Sequence, residues 1–250
     1  MNDCYVIGWG VTGKSTSYVL KIRRENCIDL DNQDSVKPAS CYILCLPTPT
    51  VGGRQDISAI KEWLVKIKKL NKNALVILRS TVLPGTTDYL IGKYQLDIVF
   101  VPEFLTEATA LEDAQKPEFM VIGSDDVLLR KMTYELFCLY VFPKSWIFCS
   151  STTAEVIKYA MNSFFALKVI FGNQLWDLCD KVGADYAKVR VALEEHKWGT
   201  KNGWDVWHKG KRGYGGKCLP KDVEAISIFS RLPLLETIDK INKDLTKGKK

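Results

Sequence analysis

Apolar and polar positions alternate along this chain in two different periods. Short apolar runs recur through the first part: DCYVIG at 3–8, CYILCLPTPT at 41–50, ALVILRSTVLPGTT at 74–87, DIVFVPEFLTEATA at 97–110, FMVIG at 119–123 and WIFCS at 146–150. Each apolar run is short and continuous, as in strands buried on both faces. Helical patterns separate them, one over roughly Lys14–Ile22 and one over 57–70, with Ile57, Ile60, Leu64 and Ile67 on one stripe. Strands alternating with helices predict an α/β, doubly wound, parallel sheet over 1–150.

From 151 onward the period is helical throughout. A long helix is expected from about Thr153 to Lys181, with Thr152 and Glu155 at capping-box spacing and Gly183 as its left-handed stop. Its apolar residues (Ile157, Met161, Phe164, Phe165, Val169, Ile170, Leu175) cover most of its circumference, which predicts burial in a core or a subunit interface. Residues 184–205 read as helical and then irregular, with Trp198, Trp204 and Trp207 nearby, and one last helix is expected over about Lys221–Leu245. The expectation is thus a Rossmann-like first domain (1–150) and an all-α second domain (151–250).

Candidate chemistry sits on these elements. The first strand runs into Gly8-Trp9-Gly10-Val11-Thr12-Gly13 and then a helix. That is the dinucleotide fingerprint in its required context: turn, close approach of the pyrophosphate, and helix–strand packing. Asp29 or Asp31 falls where an acidic residue holds ribose hydroxyls, which favours NAD over NADP. Polar residues recur just after strands (Thr48 beside Pro47, Thr81, then Glu103 and Glu107), at the edge where open α/β sheets bind ligands. Lys158 and Asn162, four apart, share a face of the long helix and suit an ammonium and an amide directed at an oxyanion. The stretch GYGGKCLPKD (213–222) places two glycines before Cys218 and Pro220. Proline favours a helix's first turn, so Cys218 is expected at a helix start, where the dipole and Lys217 and Lys221 favour a thiolate. Asp222 lies on that first turn, as a base or a holder of water.

Composition narrows the classes. The 250 residues are 46% hydrophobic and carry 35 basic and 29 acidic side chains, a formal charge of +6. The sign suits an anionic ligand without pointing to nucleic acid. Eight scattered cysteines, no CxxC pair and two histidines argue against zinc or a disulfide framework, and for reduced thiols in the cytoplasm. No leader is expected, and no apolar run reaches the ~20 residues of a membrane span.

The segments GWGVTG, LPTPT, RSTVLPGTT, VPEFLTEATA, AEVIKYAMNSFFALKVIFGNQL, GYGGKCLPKD and LLETIDKIN, in this order, resemble the UDP-glucose/GDP-mannose dehydrogenase family. The resemblance implies NAD-dependent, two-step oxidation of a nucleotide-sugar C6 alcohol to the carboxylate, as in UDP-glucose 6-dehydrogenase. It implies Cys218 as the nucleophile that carries a thiohemiacetal and then a thioester, and Lys158 and Asn162 as oxyanion stabilisers. Asp222 would assist proton movement, Glu103 would be the base for hydrolysis, Thr81 would hold the water, and Glu107 would support them. NAD would lie on Gly8, Gly10, Val11, Thr12, Gly13, Asp29 or Asp31, Pro47, Thr48 and Thr81. The substrate would meet Phe104, Leu105, Lys158, Asn162, Arg212, Tyr214 and Gly215. A homodimer through helix 153–181 is implied, with no metal, nucleic acid or membrane.

Three departures qualify the match. The link from Asp31 to Cys41 is short, so a helix and a strand of the NAD domain are expected to be missing. The family's Glu-Gly and Pro-Asp-Arg are Glu107-Ala108 and Pro117-Glu118-Phe119 here. The family's third, α/β domain would follow LLETIDKINKDLTKGKK and is not in this sequence. Two other readings stand: a nucleotide-binding or dimerising relic, and a β-hydroxyacid dehydrogenase-like enzyme, which would not need the cysteine motif.

Overall fold

Successive residues of the central strands feed two separate cores, which is what a sheet covered on both faces requires. The computed structural model describes residues 3–29, 33–106, 108–197, 199–200 and 202–248. These fall into two compact units, Met1–Val51 with Gln55–Lys158, and Gly52–Arg54 with Tyr159–Lys250.

The elements of the first unit are β1 (Cys4–Ile7), α1 (Val11–Val19), β2 (Cys27–Ile28), β3 (Cys41–Leu44), the short strands β4 (Thr50–Val51) and β5 (Arg54–Gln55), α2 (Ser58–Leu70), β6 (Leu75–Leu78), α3 (Thr86–Tyr94), β7 (Asp97–Phe100), α4 (Ala110–Gln115), β8 (Phe119–Gly123), α5 (Val127–Cys138) and β9 (Ser145–Cys149). Seven strands make one sheet in the order β2-β1-β3-β6-β7-β8-β9. On one face Ile7, Leu44, Val76, Leu78 and Phe100 pack on Ile60, Leu64 and Ile67 of α2 and Leu90 of α3. On the other, Val6, Ile43, Ile77 and Val99 pack on Val19 of α1 and Phe137 of α5. Each such aliphatic side chain contributes about 1.5–3 kcal/mol on burial.

The doubly wound expectation holds, with a correction. The sheet is not wholly parallel: β7 and β8 run antiparallel, and β9 then continues parallel to β8. Helix α4 is too short to carry a full right-handed crossover back over the sheet. The first helix also starts earlier than its periodicity suggests, at Val11 directly on the glycine turn.

The short link behaves as expected from its length. Among the described residues β2 is the outermost strand, and Gln33–Ser40 contain one 3₁₀ turn and no strand. Val36 and Ala39 close the core there, and Tyr42 Oη ties the link by accepting from Ala39 N–H and donating to the Lys37 carbonyl.

Helix α6 (Ser151–Val182) continues from the first unit into the second. Its capping differs from the sequence expectation. Ser150 Oγ accepts from Thr153 N–H, while Thr152 bonds Asp88 and Glu155 is fully buried elsewhere in the first unit. The second unit adds α7 (Tyr186–Glu195), a hairpin of β10 (Trp207–His208) and β11 (Lys211–Arg212), α8 (Leu219–Ser230) and α9 (Pro233–Thr246). It is therefore not purely helical. The single last helix is in fact two, because Arg231 turns left-handed (φ 53°) and Pro233 cannot continue an α-helix. The core here is Ala166, Val169, Ile170, Tyr214, Val223 and Ile238.

Helix α6 is not apolar on every side in the same sense. One side is core; another exposes Met161, Phe164, Phe171, Leu178 and Val182. Those positions, spaced three, seven, seven and four apart, form one stripe of the helix.

Candidate functional site

In the first unit, the fingerprint glycines are required by contact. A Cβ on Gly8 (φ +99°) would sit 2.4 Å from the Cys45 carbonyl oxygen, and one on Gly13 would sit 1.8 Å from the Gly8 oxygen. A Cβ on Gly10 would meet nothing within 4 Å, so this side of the turn is open. Gly10 caps α1 with no side-chain partner. The N–H groups of Val11 and Thr12 therefore face a positive helix end without a protein acceptor from a cap, the ordinary seat of a phosphoryl group. Asp29 directly follows β2 and is half-buried. The turn, the uncapped helix start and Asp29 fit a dinucleotide. Asp31 lies outside the described residues.

At the neighbouring strand ends, Thr48 is buried and its hydroxyl donates to the Thr81 carbonyl at 2.7 Å, while Gln55 Nε2 donates to the same oxygen at 3.1 Å. Pro47 beside it is exposed. Ser80 Oγ accepts from Leu46 N–H at 2.8 Å. The far end of this loop is held by Glu155, whose carboxylate accepts from Gly85 N–H (2.6 Å), Thr87 N–H (2.7 Å) and the Thr87 hydroxyl (2.6 Å).

Glu103 and Lys158 are brought together. Lys158 Nζ donates to the Glu103 carbonyl at 2.6 Å and lies 3.4 Å from Oε1, with the two side chains 5% and 12% exposed. Leu105 N–H binds the other carboxylate oxygen at 2.7 Å. Phe104 packs tilted against Phe119, ring centroids 4.8 Å apart, and lies under the Lys158 ammonium at 5.3 Å. A carboxylate held by an ammonium and a peptide N–H keeps one lone-pair face for a proton. Glu107 lies outside the described residues.

In the second unit, Cys218 is the N-cap of α8, with proline in the first turn, and it is exposed. Asp222 is buried on that first turn. Its N–H donates to the Cys218 carbonyl, one oxygen accepts from Asn162 Nδ2 at 2.7 Å, and the other pairs with Lys221. The amide that the sequence directs at an oxyanion thus holds a carboxylate in this structure.

The glycine stretch before Cys218 is fixed by two asparagines that the motif does not reveal. Asn242 Oδ1 accepts from Tyr214 N–H at 2.8 Å, and Asn173 Oδ1 accepts from Gly213 N–H at 3.2 Å. A Cβ on Gly213 (φ +81°) would lie 2.4 Å from Asn242 Oδ1. The half-buried Gly215 packs beside His208. Only their apolar surroundings, two buried amides in amphipathic helices, could have marked Asn173 and Asn242 from sequence.

The expected substrate side chains are partly committed elsewhere. Arg212 forms a two-pronged pair with Asp177 (2.7 and 2.8 Å), bonds the Asn173 carbonyl, and lies over Trp176. Trp204 is 6% exposed and donates its indole N–H to Thr200. Tyr214 is buried, its hydroxyl has no hydrogen-bond partner among the described residues, and burial pushes its phenol up from the ordinary value. Among the described residues no group of His, Cys, Asp and Glu could hold a metal, and no helix is long and apolar enough to cross a membrane.

Two family models match this chain. Residues 14–140 match the NAD-binding domain of the UDP-glucose/GDP-mannose dehydrogenase family, and 152–244 match its central domain. Among curated proteins, a UDP-glucose 6-dehydrogenase of Rickettsia conorii is 30% identical over 207 residues, covering 78% of this chain and 45% of that protein. One from Rhizobium meliloti is 33% identical over 210 residues, covering 78% and 47%. The chain spans about half the length of these relatives. A solved UDP-glucose dehydrogenase from Pyrobaculum islandicum superposes with a TM-score of 0.82 at 22% identity, over 99% of this chain and 68% of that one, a likeness of fold.

Proposed function

Because the chain belongs to the UDP-glucose/GDP-mannose dehydrogenase family, we propose that it oxidises the C6 alcohol of a nucleotide sugar to the carboxylate. The observation that carries this reading is Cys218: an exposed cysteine at the start of α8, above a buried, fully oriented Asp222. NAD, when bound, supplies the acceptor for the hydride lost in each of two oxidations.

The chain's own groups would do the rest. The positive end of α8 favours the Cys218 thiolate, which adds to the C6 aldehyde and keeps it from leaving. Loss of hydride from that adduct leaves a thioester. Glu103 takes a proton from water, the hydroxide adds to the thioester carbonyl, and the Cys218 thiolate departs as the carboxylate forms. Thr81 orients that water, and Glu107 supports the carboxylate. Lys158 and Asn162 stabilise the tetrahedral oxyanion. Asp222 moves the proton at Cys218. Phe104, Leu105, Tyr214 and Gly215 would shape the sugar side, and Arg212 would hold the hairpin that leads into Tyr214.

We also assign the exposed α6 stripe to a homodimer. A run of Phe164, Phe171 and Leu178 on one face needs a partner.

The test is NADH formation with a panel of UDP- and GDP-sugars, with the acid identified by mass spectrometry. Absence of acid from every sugar would overturn the reading. Binding of NAD without turnover would instead support a nucleotide-binding protein, which the strandless Gln33–Ser40 link favours.

A further inference from the structure

One charge in the first unit is left unbalanced. Arg79 follows β6 on the face covered by α1 and α5, and it is 9% exposed. Among the described residues no hydrogen bond or ion pair reaches its guanidinium, and its Nε is fully buried without a partner. Its guanidinium carbon lies 5.7 Å from the centroid of the Phe137 ring, with the Cys45 thiol and the Glu103 carboxylate as its electrostatic neighbours. Glu103 is already taken up by Lys158 and Leu105 N–H. The remaining polar groups of this loop are satisfied: Ser80 Oγ, the Thr81 carbonyl and Arg79's own N–H all have partners.

A buried guanidinium in this condition is expensive. The Nε–H donor loses water and gains no protein partner, and the charge itself is largely desolvated. Chains keep such a cost where function requires it. The surroundings say what would balance it. Cys45, which feels the Arg79 charge, lies beside Thr16 of α1, and its backbone abuts Gly8. Thr16 Oγ1 is also buried, with no oxygen or nitrogen partner among the described residues and only the Cys45 thiol beside it. Arg79 therefore lies behind the glycine turn, where the uncapped start of α1 adds a second positive field. Two positive sources and no free carboxylate call for an anion.

We propose that Arg79 is the buried counter-charge of the dinucleotide's pyrophosphate, acting through the low-dielectric interior behind the Gly8–Gly13 turn. The proposal rests on NAD being the cofactor. It assigns Arg79 the holding of the phosphoryl groups and gives it no part in recognising adenosine. It also makes the apo protein carry a cost that binding relieves.

The experiment compares the full chain with Arg79→Met and Arg79→Lys by calorimetry, using NAD, inorganic pyrophosphate and adenosine as separate probes, and by urea unfolding without ligand. Arg79→Met should weaken NAD and pyrophosphate by roughly tenfold or more, leave adenosine unchanged, and unfold at the same or a higher urea concentration than the parent. Arg79→Lys, which keeps the charge, should stay within about threefold of the parent for NAD. The proposal is overturned if Arg79→Met binds NAD like the parent. It is equally overturned if that variant is less stable or does not fold, or if adenosine weakens in step, since Arg79 is then structural. A parent that binds adenosine but neither NAD nor pyrophosphate would overturn the cofactor reading and this proposal together.

Discussion

Lys158 Nζ holds Glu103 twice, through the peptide carbonyl at 2.6 Å and the carboxylate at 3.4 Å. Both side chains are buried, so removing the ammonium strands a carboxylate away from water. Lys158→Met should cost about 3 kcal/mol of stability, and Lys158→Met/Glu103→Leu should recover most of it. Urea unfolding of the set checks this; equal midpoints for parent and Lys158→Met would show that the pair contributes nothing.

Glu155 should make stability depend on pH. Burial holds its carboxyl above the ordinary range, with Asp88 adding to this, although hydrogen bonds from Thr87 and Gly85 pull the other way. A raised acid binds its proton more readily in the folded state. Its contribution is therefore full below the ordinary carboxylate range and is lost as pH rises through the raised value. The stability advantage of the parent over Glu155→Gln should shrink on going from about pH 4 to about pH 7. Urea midpoints across that range test the sign, and a growing advantage would contradict it.

Cys218→Ser should abolish acid formation while the circular dichroism spectrum stays that of the parent, because the residue is exposed. A serine hydroxyl offers no comparable thiolate near neutral pH. Acid production at the parental rate would remove the covalent mechanism.

Tyr214→Phe deletes a buried hydroxyl that has no partner among the described residues. Stability should be unchanged or rise by up to about 1 kcal/mol. A clear loss in thermal melting would mean that the hydroxyl is bonded in solution.

Phe164→Asp places a charge in the exposed α6 stripe, where Phe164 is 57% exposed. The parent should be a dimer by light scattering at micromolar concentration and the variant a monomer with an intact fold. A monomeric parent would rule out the assignment of this face.

Much of the site was legible in local patterns, because local physics creates it. The glycine turn must follow a strand and open a helix, and a proline after Cys218 pre-sets a helix start; both elements formed there. The alternation of apolar strands and helices likewise announced a sheet covered on both faces.

What local pattern could not carry was the choice of partner. Thr152 and Glu155 have the spacing of a cap, yet Glu155 binds Gly85 and Thr87, some seventy residues earlier in the chain. A fully buried carboxylate is worth more to three uncapped donors of another helix than to its own helix end. The resemblance puts Arg212 at the substrate, but it pairs with Asp177 once β11 returns beside α6. The reversal of β8, the break at Arg231 and the isolation of Arg79 are of the same kind. Period, turn and helix start depend on neighbours a few residues away, and the sequence displays those directly. Which buried polar group finds a partner, and which is left without one, depends on segments that only folding brings together.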